Sequence, residues 1–189
     1  MSLPRRVLTF KVNGDFGSRA VGIAAGTFHV DEVDGFLGKL AEIDKESGTV
    51  TQAFNTSRIA GIEHLVHAVR LALIANGNRT GFASSLTIEL ICWAAAEGQI
   101  GRAFDKIGVK VGEGGLAILS IGNSDQRVKS TVSKIFRDFA LRWDNTLLEP
   151  RRGKLSEIKK IFSISQDEIK VAPIQKIVLE RVALLALAK

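Results

Sequence analysis

The segment Ile59–Gly108, IAGIEHLVHAVRLALIANGNRTGFASSLTIELICWAAAEGQIGRAFDKIG, combines dense helical periodicity with nearly all the distinctive polar residues of the chain. Its first part predicts a helix that starts after Thr56 or Ser57, either of which can cap a free backbone N–H, and stops at Asn76-Gly77. Ile59, Ile62, Leu65, Val66, Val69, Ala72 and Leu73 recur at i, i+3, i+4 and i+7, the core-facing stripe of an amphipathic helix. At about 100° per residue, Glu63, His67 and Arg70 share a different face, with His64 about 60° beyond His67. A second helix is expected from a Ser84 or Ser85 cap through Leu86, Ile88, Leu90, Ile91 and Trp93 to Gly98. A third runs from Gln99 to Ile107 and ends at Gly108. Glycines at the helix ends, tolerant of left-handed backbone, join the helices by tight turns in this reading.

Working outward, Val7–Val12 and Arg19–Ala25 read as strands around a turn at Asn13-Gly14 and Gly17, so a hairpin opens the fold. Between Val30 and Glu46 the spacing of Val33, Phe36, Leu37, Leu40 and Ile43 predicts a helix, with Asp31 or Asp34 at its start and Ser47-Gly48 at its end. Thr49–Phe54 alternates and is β-branched, a strand leading into the central helices. Leu116–Ile121 reads as a buried strand after a GEGG turn. Ser124 caps a helix to about Ala140, and Trp143–Leu148 is open between strand and loop. Short helices follow at Leu155–Phe162 and after a Ser165/Glu168 capping box. Pro173 opens a last helix, apolar on most of its circumference, that belongs either to a core or to an interface. These elements predict an α/β fold: a single domain with a small, mainly antiparallel sheet packed by several helices, and a helical lobe at about 57–108.

With 189 residues the chain is long enough for a full core, and its single Cys92, set among apolar neighbours, excludes a disulfide framework and favours a reducing compartment. The N-terminal MSLPRRVLTF lacks an apolar leader run and no stretch reaches membrane-span length, so a cytoplasmic protein with no membrane partner is expected. A net charge of +6 points to a polyanionic partner. Aromatics make up 6% and Tyr is absent, which argues against an exposed stacking sheet of the RRM type.

Reacting groups are scarce. The GEGG glycines precede a strand, where a phosphate loop follows one and opens a helix. His64 and His67 are three apart, not the four of a zinc-protease helix, and Ser130 and Lys134 miss the acylating S-x-x-K spacing. No enzyme, metal or cofactor is expected. What remains is a hydrogen-bonding group on the central helices: His64, His67, Arg70, Glu89, Gln99 and Arg102. Taken singly, Glu89 and Gln99 also suit helix ends, and the histidines suit solvent.

Several ordered motifs resemble one family. His64-Leu65-Val66-His67-Ala68, Ile88-Glu89-Leu90-Ile91, Gln99-Ile100 with Ala103 and Gly108, Ile161-Phe162-Ser163-Ile164, and Glu180-Arg181-Val182-Ala183-Leu184-Leu185 follow the pattern of the TPRKB-type small subunit of the KEOPS complex, in an archaeal-like form. The similarity covers most of the chain from Phe54 onward. The family's arginine before Gln-Ile is missing here, where Ala95-Ala96-Glu97-Gly98 stands, and Arg102 or Lys106 is positioned to replace it. The resemblance implies a non-catalytic subunit of the tRNA threonylcarbamoyl-adenosine machinery. Such a subunit binds and activates the KEOPS kinase, reaches the threonylcarbamoyl transferase subunit through it, and recruits tRNA by its 3′ CCA end. On that reading His64, His67, Arg70, Gln99, Arg102 and Lys106 face RNA with Glu89 orienting its neighbours, and Leu184 and Leu187 face the kinase. The alternative is a pure protein adaptor of the kinase whose positive charge serves solubility.

Overall fold

The computed structural model describes residues 6–188. Met1–Arg5, part of the segment read above as lacking a leader run, lie outside the described residues, as do Lys189 and the Glu113 side chain. Packing divides the chain into two compact units, Met1–Thr56 with Val109–Leu148 and Ser57–Gly108 with Glu149–Lys189.

The first unit contains an antiparallel sheet of β1 (Leu8–Gly14), β2 (Gly17–Val30), β3 (Val50–Asn55), β4 (Gly112–Gly122) and the two-residue β5 (Arg142–Trp143). The order is β1-β2-β4-β3, with β5 on β2 at Gly26 and Thr27. Two helices, α1 (Val33–Ser47) and α5 (Asp125–Asp138), cover one face and bury Phe36, Leu40, Val132, Ile135 and Phe136 against Ala24, Ala53 and Ile118. Glycines permit this close approach: a Cβ on Gly22 meets the Val128 Cβ at 3.0 Å, and one on Gly122 meets its Cγ1 at 3.0 Å. The sheet and its helices agree with the α/β reading.

Several boundaries differ from the sequence expectation. β2 runs to Val30 because β4 pairs with it down to Gly112. The GEGG glycines therefore lie inside a strand and form no turn. The α1 cap is Glu32, whose carboxylate accepts the N–H of Asp34 at 2.8 Å and of Gly35 at 2.5 Å, and not Asp31 or Asp34. Gly48 closes α1 in the left-handed region at φ 63°, as the Ser47-Gly48 signal requires.

The second unit is helical: α2 (Ile62–Gly77), α3 (Leu86–Ala95), α4 (Ile100–Ile107), α6 (Arg152–Ile161), α7 (Gln166–Val171) and α8 (Ile174–Leu184). α2 starts at Ile62, five residues beyond the expected Ser57 cap. Thr56–Arg58 is a 3-10 turn, and Gly61 takes φ 115°, a conformation that only glycine holds without strain and that sets the helix start. α3 ends at Ala95, with Ala96 itself left-handed at φ 49°, not at Gly98. There the N–H groups of Ala96 and Glu97 bond the carbonyls of Trp93 and Cys92, and the satisfied carbonyls offset the Cβ strain. Gly98 is needed elsewhere, since a Cβ on it meets the Phe82 ring at 2.8 Å. The Ser165/Glu168 capping box is present at α7. No helix among the described residues is long and apolar enough to cross a membrane.

Candidate nucleic-acid interface and docking surface

The residues singled out on α2, α3 and α4 separate into an interior set and a surface set. His64, on the first turn of α2, is buried. Its Nδ1 lies 3.2 Å from the Ala60 N–H, which can only donate, so Nδ1 accepts and Nε2 carries the proton donated to the Ala94 carbonyl at 2.8 Å. Burial pushes its pKa down to about 4, opposed by the bond to Ala94 and reinforced by His67 and Lys154. The Phe162 ring stands edge-on at 5.5 Å. This imidazole ties α2 to α3 and does not face RNA, a correction to the sequence reading.

Glu89 is fully buried as well. Its Oε2 accepts the N–H of Phe82 at 2.7 Å and of Ala83 at 2.8 Å, and its Oε1 accepts Trp93 Nε1 at 2.7 Å. The two Oε2 bonds hold the loop before α3 onto the helix, and the Oε1 bond fixes the Trp93 indole one turn along the same helix. Glu89 is thus enclosed, with its carboxylate taken up by the Phe82 and Ala83 N–H groups and the Trp93 indole. Gly81 leaves room for this, because a Cβ there meets Oε2 at 2.7 Å.

The surface set is Arg70, Gln99 and Arg102, all exposed. His67 is half-buried, its Nε2 has no hydrogen-bond partner among the described residues, and burial and the Arg70 charge lower its pKa. Lys106 is also half-buried. Its Nζ donates to the Ala95 carbonyl at 3.2 Å, lies 4.0 Å from Glu97 and stands 5.9 Å over the Phe162 ring, and burial lowers its pKa against the pull of Glu97. The sequence reading missed Arg58. Its Nη1 caps α4 by donating to the carbonyls of Asp105 at 2.5 Å and Lys106 at 2.8 Å, and its Nη2 pairs with Glu157 on α6 at 3.1 Å. Only a partner 47 residues away gives Arg58 this role, so no local signal marks it.

The end of α8 carries an apolar surface. Leu184 is 45% exposed and Leu187, in the following 3-10 turn, 79%, while Val178 and Val182 are buried at 0%. The final helix is therefore core on one side and open on the other, which resolves the two readings its composition left open.

A family model described as kinase binding protein CGI-121 matches residues 36–186, well over half of the chain. The chain belongs to the kinase binding protein CGI-121 family. The match begins at Phe36 on α1, earlier than the resemblance read from Phe54 onward, and extends past Leu184. It agrees with the TPRKB-type assignment made from the motifs. The CGI-121 description supports a kinase partner and is consistent with a non-catalytic role. No curated protein matches the chain. Among the described residues of this CGI-121 chain, no group of three or more His, Cys, Asp or Glu is placed to hold a metal ion.

Proposed function

We propose that this chain is the non-catalytic small subunit of a KEOPS complex, which docks on and activates the KEOPS kinase and recruits tRNA through its 3′ CCA end. It meets the threonylcarbamoyl transferase subunit only through the kinase and works in the cytoplasm. The observation that carries the RNA part is the exposure of Arg70, Gln99 and Arg102, with neither arginine held by a carboxylate among the described residues. Free guanidinium groups suit phosphates, and an exposed amide suits the edges of unpaired bases. Lys106 and His67 flank that set at half burial, and the formal charge of +6 favours an anionic partner.

Binding of intact tRNA is compared with binding of tRNA lacking its CCA end, at fixed salt. A loss of about tenfold or more on trimming supports end recruitment. Equal binding of both reduces the contact to charge attraction, and no binding of either leaves the adaptor reading alone. That second reading is favoured by Leu184 and Leu187, an apolar pair 45% and 79% exposed. Kinase ATPase rate with and without the subunit tests activation separately.

A further inference from the structure

A polar cleft of about 360 Å³ lies within the sheet unit, along the flank of α5 and beside the end of α1. Ser47, Ser124, Gln126, Arg127, Ser130 and Thr131 line it, so its wall among the described residues holds hydroxyls, an amide and one guanidinium but no carboxylate. Arg127, Ser130 and Thr131 stand at i, i+3 and i+4, which puts them on one face of α5, and Ser47 is the last residue of α1.

Two glycines lay out the Arg127 arm. A Cβ on Gly122 meets its Cδ at 3.7 Å, and a Cβ on Gly48 meets its Nη1 at 2.7 Å. The stem therefore passes over Gly122 and the guanidinium rests on the backbone of Gly48, next to Ser47. Its only hydrogen bond among the described residues is made by its backbone N–H, to Ser124 Oγ, and no carboxylate pairs with it there. The negative end of the α1 dipole accounts for a cation at this place.

That dipole does not account for Thr131. The residue is 2% exposed, and its Oγ1 has no hydrogen-bond partner among the described residues. Native proteins leave few buried hydroxyls in this condition, because desolvation without a partner is costly. Valine has the same outline without the hydroxyl, so packing alone does not explain a threonine on the inner wall of the cleft. An acceptor oxygen bound in the cleft does. A planar carboxylate fills a guanidinium fork and has few oxygens left, whereas a tetrahedral oxyanion offers further oxygens to the hydroxyls of both helices.

We propose that this cleft is a phosphate site, taking inorganic phosphate or the phosphate of a small monoester, with Arg127 pairing the anion and Thr131 Oγ1 donating to it from the inner wall. Its volume lies near the low end of small-molecule sites, which suits a ligand of that size. The site stands on the sheet unit's own residues and does not rest on the RNA-binding reading.

The test is titration of the full chain with inorganic phosphate at fixed pH and ionic strength, following backbone amide shifts, with acetate as the planar anion and glycerol 3-phosphate as the monoester. Saturable shifts at Ser47, Arg127 and Thr131 are expected with phosphate, and acetate should bind about tenfold more weakly or worse. Tighter binding of glycerol 3-phosphate makes the ligand a small phosphorylated molecule, and equal or weaker binding makes it the free ion; both support the site. Thr131→Val removes a hydroxyl that makes no bond, so without phosphate it should melt at the parent temperature or above it. With phosphate it should bind about tenfold more weakly, as should Arg127→Gln. Shifts that fail to saturate, acetate binding as tightly as phosphate, or a folded Thr131→Val that binds phosphate like the parent overturn the proposal. So does an Arg127→Gln that melts lower but binds phosphate unchanged, since Arg127 would then serve the α1 dipole alone. No RNA enters the readout, so a failure here leaves the CCA comparison standing.

Discussion

Glu89 Oε1 accepts Trp93 Nε1 at 2.7 Å, one helical turn away, while Oε2 of the same carboxylate takes two backbone N–H groups of the preceding loop. A residue that looks like a ligand-binding acid in sequence is spent on holding a loop. Glu89→Leu strands one buried and two half-buried donors, a buried one being worth about 1–3 kcal/mol, and should cost about 3 kcal/mol in denaturant unfolding. Glu89→Gln keeps one oxygen but turns an NH2 towards a donor, so the expected loss is about 1–3 kcal/mol with a shift in Trp93 emission.

His64 makes stability depend on acid. The unfolded imidazole titrates near 6.5 and the folded one at about 4, so between these values the unfolded state binds more protons. Stability is therefore full above the unfolded value and falls as the pH drops through that window, by at most about 3 kcal/mol. The physical origin is burial together with an Nδ1 that must stay unprotonated to accept the Ala60 N–H. Unfolding curves at several pH values should show this slope in the parent protein and reduced by about one proton in His64→Asn.

Arg70 and Arg102 should act through phosphates. Arg70→Gln and Arg102→Gln are expected to leave the melting temperature unchanged, since both side chains are exposed. Each should weaken tRNA binding and flatten the salt dependence by about 0.7 per lost contact to a single strand. Unchanged slopes in the double variant would remove both residues from the RNA surface.

At the chain's far end, Leu187→Glu should abolish kinase binding and shift stability by no more than about 0.5 kcal/mol, because the side chain is 79% exposed. Val182→Glu, at 0% exposure, should unfold the protein by burying an unpaired charge. Co-purification with the kinase, read beside a melting curve, separates the two, and retained kinase binding by Leu187→Glu would move the docking surface elsewhere.

Cys92 should be inert in the native state. It is buried at 0% exposure, and burial, then the charges of Glu89 and Glu97, pushes its thiol up to about 11. Thiol labelling at pH 8 should therefore proceed at the rate of unfolding and become immediate in denaturant.

The elements of the fold were legible wherever the signal is local. The hairpin, α1 with its Gly48 end, α5 behind the Ser124 cap and the α7 capping box all depend on residues within a few positions of one another. Boundaries failed where a distant partner decided them. β2 extends to Val30 because β4, far along the chain, pairs with it down to Gly112. The site was legible in part for the same reason. Helical angle placed His67 and Arg70 away from the apolar stripe, but His64 lies only about 60° from His67 and falls inside, where Ala94 meets it.

The amino-acid sequence by itself determined the alternation and periodicity that make an antiparallel sheet and a set of amphipathic helices, the scarcity of reacting groups, and the motif order shared with the kinase binding proteins. Those properties reside in neighbouring residues and survive without knowledge of the fold. Tertiary structure alone decided which polar groups of Ile59–Gly108 reach the surface, that Leu184 and Leu187 stand outside while Val182 does not, and that Gly114 comes to lie beside Phe28. Exposure and juxtaposition depend on contacts between residues far apart in the chain, and the charge or polarity of a residue says nothing of who will cover it.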